Sequence, residues 1–119
     1  MSSNKSIEVL IKVRIKKDAV FWGGGLMTLL ELVEVNHSLK KACESMQMSY
    51  SKGHSIIKKA EKELGHSLIT SIKGGERGGG SFLSKEGIVF INCYREYTKE
   101  MQKIGKKVFQ KYFQEYFNM

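Results

Sequence analysis

The sequence predicts a mostly helical α+β domain. Three observations carry that expectation: one alternating apolar segment near the start, four stretches whose apolar residues recur at helical spacing, and two short β-compatible pieces around a run of glycines. With 119 residues, 41% of them apolar, the chain fits one domain with enough apolar side chains for a core.

Ile7, Val9, Ile11, Val13 and Ile15 alternate with Glu8, Lys12, Arg14 and Lys16, and only Leu10 breaks the pattern. A half-buried β-strand is therefore expected there. Residues 19–25 are aromatic and then glycine-rich, which reads as a turn that packs Phe21 and Trp22. Leu26, Leu29, Leu30 and Val33 follow at helical spacing, up to about Val35, where Asn36 and His37 interrupt it. Ser38 has the chemistry of an N-cap, and Leu39, Ala42, Cys43 and Met46 behind it predict a short second helix. Gln47 and Met48 form a tight connection to a third helix capped by Ser49. On that helix Gly53, Ile56, Ile57, Ala60 and Leu64 share one face, whereas Ser51, Lys52, Ser55, Lys58, Lys59 and Lys62 share the opposite one. Gly65 terminates it.

Residues 68–73 and 81–83 lie on either side of Gly74, Gly75, Glu76, Arg77, Gly78, Gly79 and Gly80, the pattern of a hairpin with a glycine-rich tip. Ser84, with Gly87 close behind, opens a long terminal helix. Its apolar residues Phe90, Tyr94, Tyr97, Met101, Ile104, Val108 and Tyr112 lie close to a heptad seam. So long a helix exceeds what this small core can cover. Tyr94, Tyr97, Met101, Ile104, Val108 and Tyr112 are therefore expected to face a second copy in a homodimer. Residues 1–84 carry the strand, three helices and hairpin, and residues 85–119 the dimerisation helix, within a single structural domain.

Lys and Arg number 20 against 12 Asp and Glu, a formal charge of +8, which favours an anionic partner. No apolar run approaches the ~20 residues of a bilayer span, and the first six residues are polar where a signal peptide needs an apolar core. A cytoplasmic protein without a membrane partner is expected. Cys43 and Cys93 lack C-x-x-C spacing and are expected to be buried and reduced. Net charge does not locate the binding face, because residues 1–20 hold five basic and two acidic side chains and residues 85–119 hold seven and four.

Strand, helix, short helix, tight turn, helix and hairpin is the element order of a winged helix-turn-helix domain. In that fold the helix after the turn enters the major groove of duplex DNA. Ser49, Tyr50, Ser51, Lys52, His54, Ser55, Lys58 and Lys59 are the candidate contacts on this helix, a mix of short hydrogen-bonding groups and cations suited to base edges and phosphates. The wing adds Lys73, Gly74, Gly75, Arg77 and Gly78, whose glycines let the backbone approach a sugar-phosphate chain.

At these residues the sequence resembles the DNA-binding domain of molybdate-responsive regulators of the ModE type, itself related to the LysR-type helix-turn-helix. The resemblance rests on Ser38-Leu39-Lys40-Lys41-Ala42, on Met48-Ser49-Tyr50, and above all on the run from Gly74 through Ser84 with Gly87 behind it. It extends from about Lys12 to about Tyr97. What it implies is a dimeric bacterial or archaeal transcription regulator whose third helix and wing hold operator DNA. The chain departs from the family where Ser51, Lys52, Gly53 and His54 replace a basic, a small and an aromatic residue, and where Ser71 replaces an Arg before the wing. It also stops after the terminal helix, so a stand-alone member without molybdate-binding domains is expected.

Other readings fit less well. The glycine run does not match G-x-x-x-x-G-K-[ST], so it is not a nucleotide-binding loop. His37, His54, His66, Cys43 and Cys93 are not at ligand spacing, and neither metal nor cofactor is expected. No nucleophile with a paired base can be placed in a pocket, which speaks against an enzyme. Phe109, Tyr112, Phe113, Tyr116 and Phe117 among lysines could form a membrane-surface helix, but a dimer seam explains them more simply. The rival from another class is a winged-helix protein-interaction module docking an acidic partner.

Overall fold

The computed structural model describes residues 7–73 and 80–119. Among these residues the protein is an α+β assembly of four helices and two two-stranded antiparallel sheets. The order is β1 (Ile15–Lys16), β2 (Val20–Trp22), α1 (Gly24–Asn36), α2 (Leu39–Ser45), α3 (Tyr50–Leu64), β3 (Ile69–Ile72), β4 (Gly80–Leu83) and α4 (Lys85–Phe117).

Capping residues explain where α2, α3 and α4 begin. The hydroxyls of Ser38, Ser49 and Ser84 accept hydrogen bonds from the amides of Lys41, Lys52 and Gly87 at 3.1, 3.1 and 2.9 Å, each satisfying one otherwise free N–H. Helix α3 ends at Gly65, whose φ of 79° is left-handed. His37 and Gln47, both at φ 55°, turn the chain between α1 and α2 and between α2 and α3. The core is built from Leu29, Leu30 and Val33 of α1, Leu39, Ala42 and Cys43 of α2, Ile57 and Ala60 of α3, and Leu68 and Ile91. Helices α2 and α3 cross most closely at Gly53, where a Cβ would collide with Cys43 Sγ. That contact falls on Cys43, next to the small, fully buried Ala42.

The expected N-terminal strand pairs only at its end. Ile15 and Lys16 pair with Trp22 and Val20, while the preceding residues form an extended strap along α4. The alternation itself persists, with Val9, Ile11, Val13 and Ile15 half-buried and Leu10, Lys12 and Arg14 exposed. What replaces a neighbouring strand is a set of α4 side chains. Gln102 accepts from Ile11 N–H at 2.8 Å and donates to the Val9 carbonyl at 2.6 Å, and Tyr94 donates to the Val13 carbonyl at 2.6 Å. Gly105 makes room for Ile11, since a Cβ there would lie 2.7 Å from Ile11 Cγ1. The segment expected to be only a turn contains β2, and α1 starts at Gly24 rather than Leu26.

Hairpin β3–β4 pairs Ile69 with Leu83 and Ile72 with Gly80. It is pinned to the corner between α1 and α2 by Ser81 N–H donating to the His37 carbonyl at 3.0 Å and by Phe82 stacked on His37 at 4.8 Å. Gly87 lets α4 begin against the hairpin, because a Cβ there would stand 2.5 Å from the Leu68 carbonyl oxygen. Farther along α4, Arg95 bridges Glu31 and Glu34 of α1 at 3.2 and 3.0 Å. Tyr94 belongs to the chain's own core, 5.8 Å from the Trp22 ring, because its hydroxyl and ring both find partners within the chain. It therefore leaves the expected seam. Cys43 is buried as expected, but Cys93 is exposed, since it lies on the side of α4 that the rest of the chain does not cover. No helix among the described residues is long and apolar enough to cross a membrane.

Candidate nucleic-acid interface

Helix α3 owes its two faces to its sequence period. Gly53, Ile57 and Ala60 are buried against α1 and α2, which turns Ser51, Lys52, Ser55, Lys58, Lys59 and Lys62 outward, and all six are exposed. At the N-terminal end Ser49 is exposed, with its oxygen engaged in the cap; its hydroxyl hydrogen is free to donate. Tyr50, 54% exposed, stacks on His54 with ring centroids 5.8 Å apart, so two aromatic edges present themselves together one turn into the helix.

The helix has two different flanks. Tyr50, His54, Lys58 and Glu61 border a narrow notch closed by Ile69 and Ser71 of β3 and Leu39 of α2, so the start of α3 and the hairpin form one surface. Lys40, Ile72 and Ser81 continue that surface past Tyr50. On the other flank Ile56 and Lys59 face a cleft walled by the N-terminal strap. The eight α3 residues expected to act together are thus all exposed. Six of them divide between a hairpin side (Tyr50, His54, Lys58), an outward ridge (Ser51, Ser55) and a strap side (Lys59).

Lys58 is not a free cation. Its ammonium lies 3.3 Å from the carboxylate of Glu61, whose side chain is only 10% exposed. Glu61 in turn accepts the amides of Leu68 and Ile69 at 2.7 and 3.3 Å, fixing the entry into β3. Burial raises the Glu61 carboxyl, but the two amides and the Lys58 ammonium together outweigh it and hold the group below the usual carboxylate value. Glu61 was not singled out in the sequence, where it stands among lysines like any helix-surface carboxylate. Lys40 was missed too, although its place two residues after the Ser38 cap put it at the exposed start of α2.

In the hairpin region Lys73 is exposed, and Ser71 borders the notch. Gly74, Gly75, Arg77 and Gly78 lie outside the described residues. In α4 Tyr97, Ile104, Val108 and Tyr112 are exposed and Met101 is half-buried. Among the described residues no three His, Cys, Asp or Glu side chains gather where they could hold a metal ion. Set against known proteins, the chain matches no family model and no curated relative.

Proposed function

We propose that the chain is a winged helix-turn-helix protein that binds duplex DNA sequence-specifically, as a homodimeric cytoplasmic transcription regulator akin to the ModE type. It acts by binding and carries no catalytic centre. Helix α3 is the recognition helix and the β3–β4 hairpin the wing. The single observation supporting this most strongly is the notch where the stacked Tyr50–His54 pair adjoins the hairpin at Ser71, on a helix that also exposes Ser51, Lys52 and Ser55. Short hydroxyls, an imidazole and a phenol reach base edges, while Lys52, Lys59, Lys62 and Lys73 meet phosphates. Lys58 steadies Glu61 and contributes to the field at longer range. Tyr97, Met101, Ile104, Val108 and Tyr112 form the interface with the second copy, setting two recognition helices on half-sites on the order of 34 Å apart.

The test is a gel-shift series with genomic fragments against random competitor DNA. Specific binding should exceed non-specific binding by about a thousandfold. Lys52→Ala should weaken binding to all sequences alike and lower the salt slope by about one, whereas His54→Ala should relax preference at a single base position. Equal affinity for every duplex, or an unchanged salt slope in Lys52→Ala, overturns the assignment. In that case an acidic protein becomes the partner to seek for the same face.

A further inference from the structure

On the strap side of α3, away from the hairpin, lies a cleft of about 800 Å3. That is the size of a metabolite site. Its wall carries Lys12 and Arg14 from the strap and Lys59 from α3, and among the described residues that line it there is no carboxylate. Three cations drawn from two separate elements around one cavity repel one another unless an anion joins them.

The start of α1 opens into the same cleft through Gly23, Gly24 and Gly25. No side chain caps this helix, and its first turn carries no acidic residue, so the leading amides have no partner within the helix. The fold does not explain the glycines at Gly24 and Gly25. A Cβ at either would meet no atom within 4 Å, both are helical, and glycine weakens a helix. What their bareness provides is an unobstructed approach to the backbone. Trp22, 1% exposed, also lines the cleft, and its indole Nε1–H finds no hydrogen-bond partner among the described residues. A buried donor of that kind normally has one.

We propose that this cleft binds a small organic anion of the phosphate-monoester class. The phosphoryl oxygens are received by the open amides at the start of α1 and by Arg14, Lys12 and Lys59, a guanidinium and a helix N-terminus being strong partners for a phosphate. The organic portion lies against the apolar wall formed by Phe21, Val20 and Ile56. The site shares only Lys59 with the DNA surface proposed above and is tested with no DNA present, so either reading can fail alone.

The experiment is an amide and indole NMR titration of the full chain with phenyl phosphate, with inorganic phosphate as the bare headgroup and phenol as the neutral control. The chain has one tryptophan, so the indole N–H signal belongs to Trp22 alone. Phenyl phosphate should give saturable shifts of Trp22 Nε1–H and of the Gly24 and Gly25 amides, inorganic phosphate weaker ones, and phenol none. Arg14→Gln should weaken binding by about tenfold or more. Gly24→Ala should weaken it too, while its melting temperature stays level or rises, because alanine favours the helix. That pairing separates loss of a site from loss of fold. The assignment is overturned if phenyl phosphate fails to saturate, if phenol binds as well, or if both variants bind like the parent.

Discussion

Glu61 anchors the start of β3 with one carboxylate, taking two backbone amides and the Lys58 ammonium in a setting that admits little water. Removing its charge should cost about 1–3 kcal/mol, because two amides lose a charged acceptor. The effect is pH-dependent with a defined sign. The folded carboxyl sits below the ordinary value of 4.5, so the group contributes its full stability above that pH and loses it as the pH falls through the lower folded value. In urea unfolding, Glu61→Gln should be weaker than the parent at about pH 7, and the gap should narrow as the pH is lowered below the ordinary carboxylate range. A constant difference between the two would show that the carboxylate's charge is not what holds the strand. Nothing in the sequence marks Glu61, since the two amides that distinguish it belong to residues seven and eight positions later that only the fold brings back. The caps at Ser38, Ser49 and Ser84 were legible for the opposite reason, each bond reaching only three residues along the chain.

At the scale of elements, the pairing of α2 with α3 depends on the missing side chain of Gly53 against Cys43. Gly53→Ala should destabilise the protein by about 1–3 kcal/mol, as overpacking of a tight core does, even though alanine favours an isolated helix. Adding Cys43→Ala, which removes the obstructing sulfur, should recover much of the loss in a double-mutant cycle. Strictly additive losses would place the strain elsewhere. The apolar period of α3 was enough to put Gly53 on its inner face, but not to name what it meets there. The strap illustrates the same boundary. Alternation over residues 9–15 fixes which side chains turn inward, while Ile7 stays exposed, yet the backbone hydrogen bonds of residues 9–13 go to Gln102 and Tyr94 of α4 instead of a strand. Period-2 patterning reports a buried face and is blind to what satisfies the edge.

The whole molecule is elongated, with a radius of gyration of 18.6 Å and a longest dimension of 66 Å. A compact chain of this length would have a radius of about 13–14 Å. The difference comes from α4, whose 33 residues span about 50 Å and run on past the core. Ile104, Val108, Tyr112, Phe113, Tyr116 and Phe117 are exposed along that extension, a concentration of apolar and aromatic surface that favours association. Sedimentation equilibrium should give twice the 13.5 kDa chain mass, and a Val108→Glu, Tyr112→Glu double variant should sediment as a folded single chain. A parent protein that remains monomeric at high concentration contradicts the seam.

By itself the sequence determined the order of the helices, the capped starts of α2, α3 and α4, the hairpin and the inward faces of α1, α2 and α3, because those follow from spacing within a few residues. Only the tertiary structure decided that the strap lies on α4, that Tyr94 serves the chain's own core, that Glu61 holds the hairpin, and that Lys12, Arg14 and Lys59 share a cleft with the bare start of α1. Each of these joins groups far apart in the chain. Local periodicity fixes a direction for every side chain, while the neighbour it meets is set by how the helices cross.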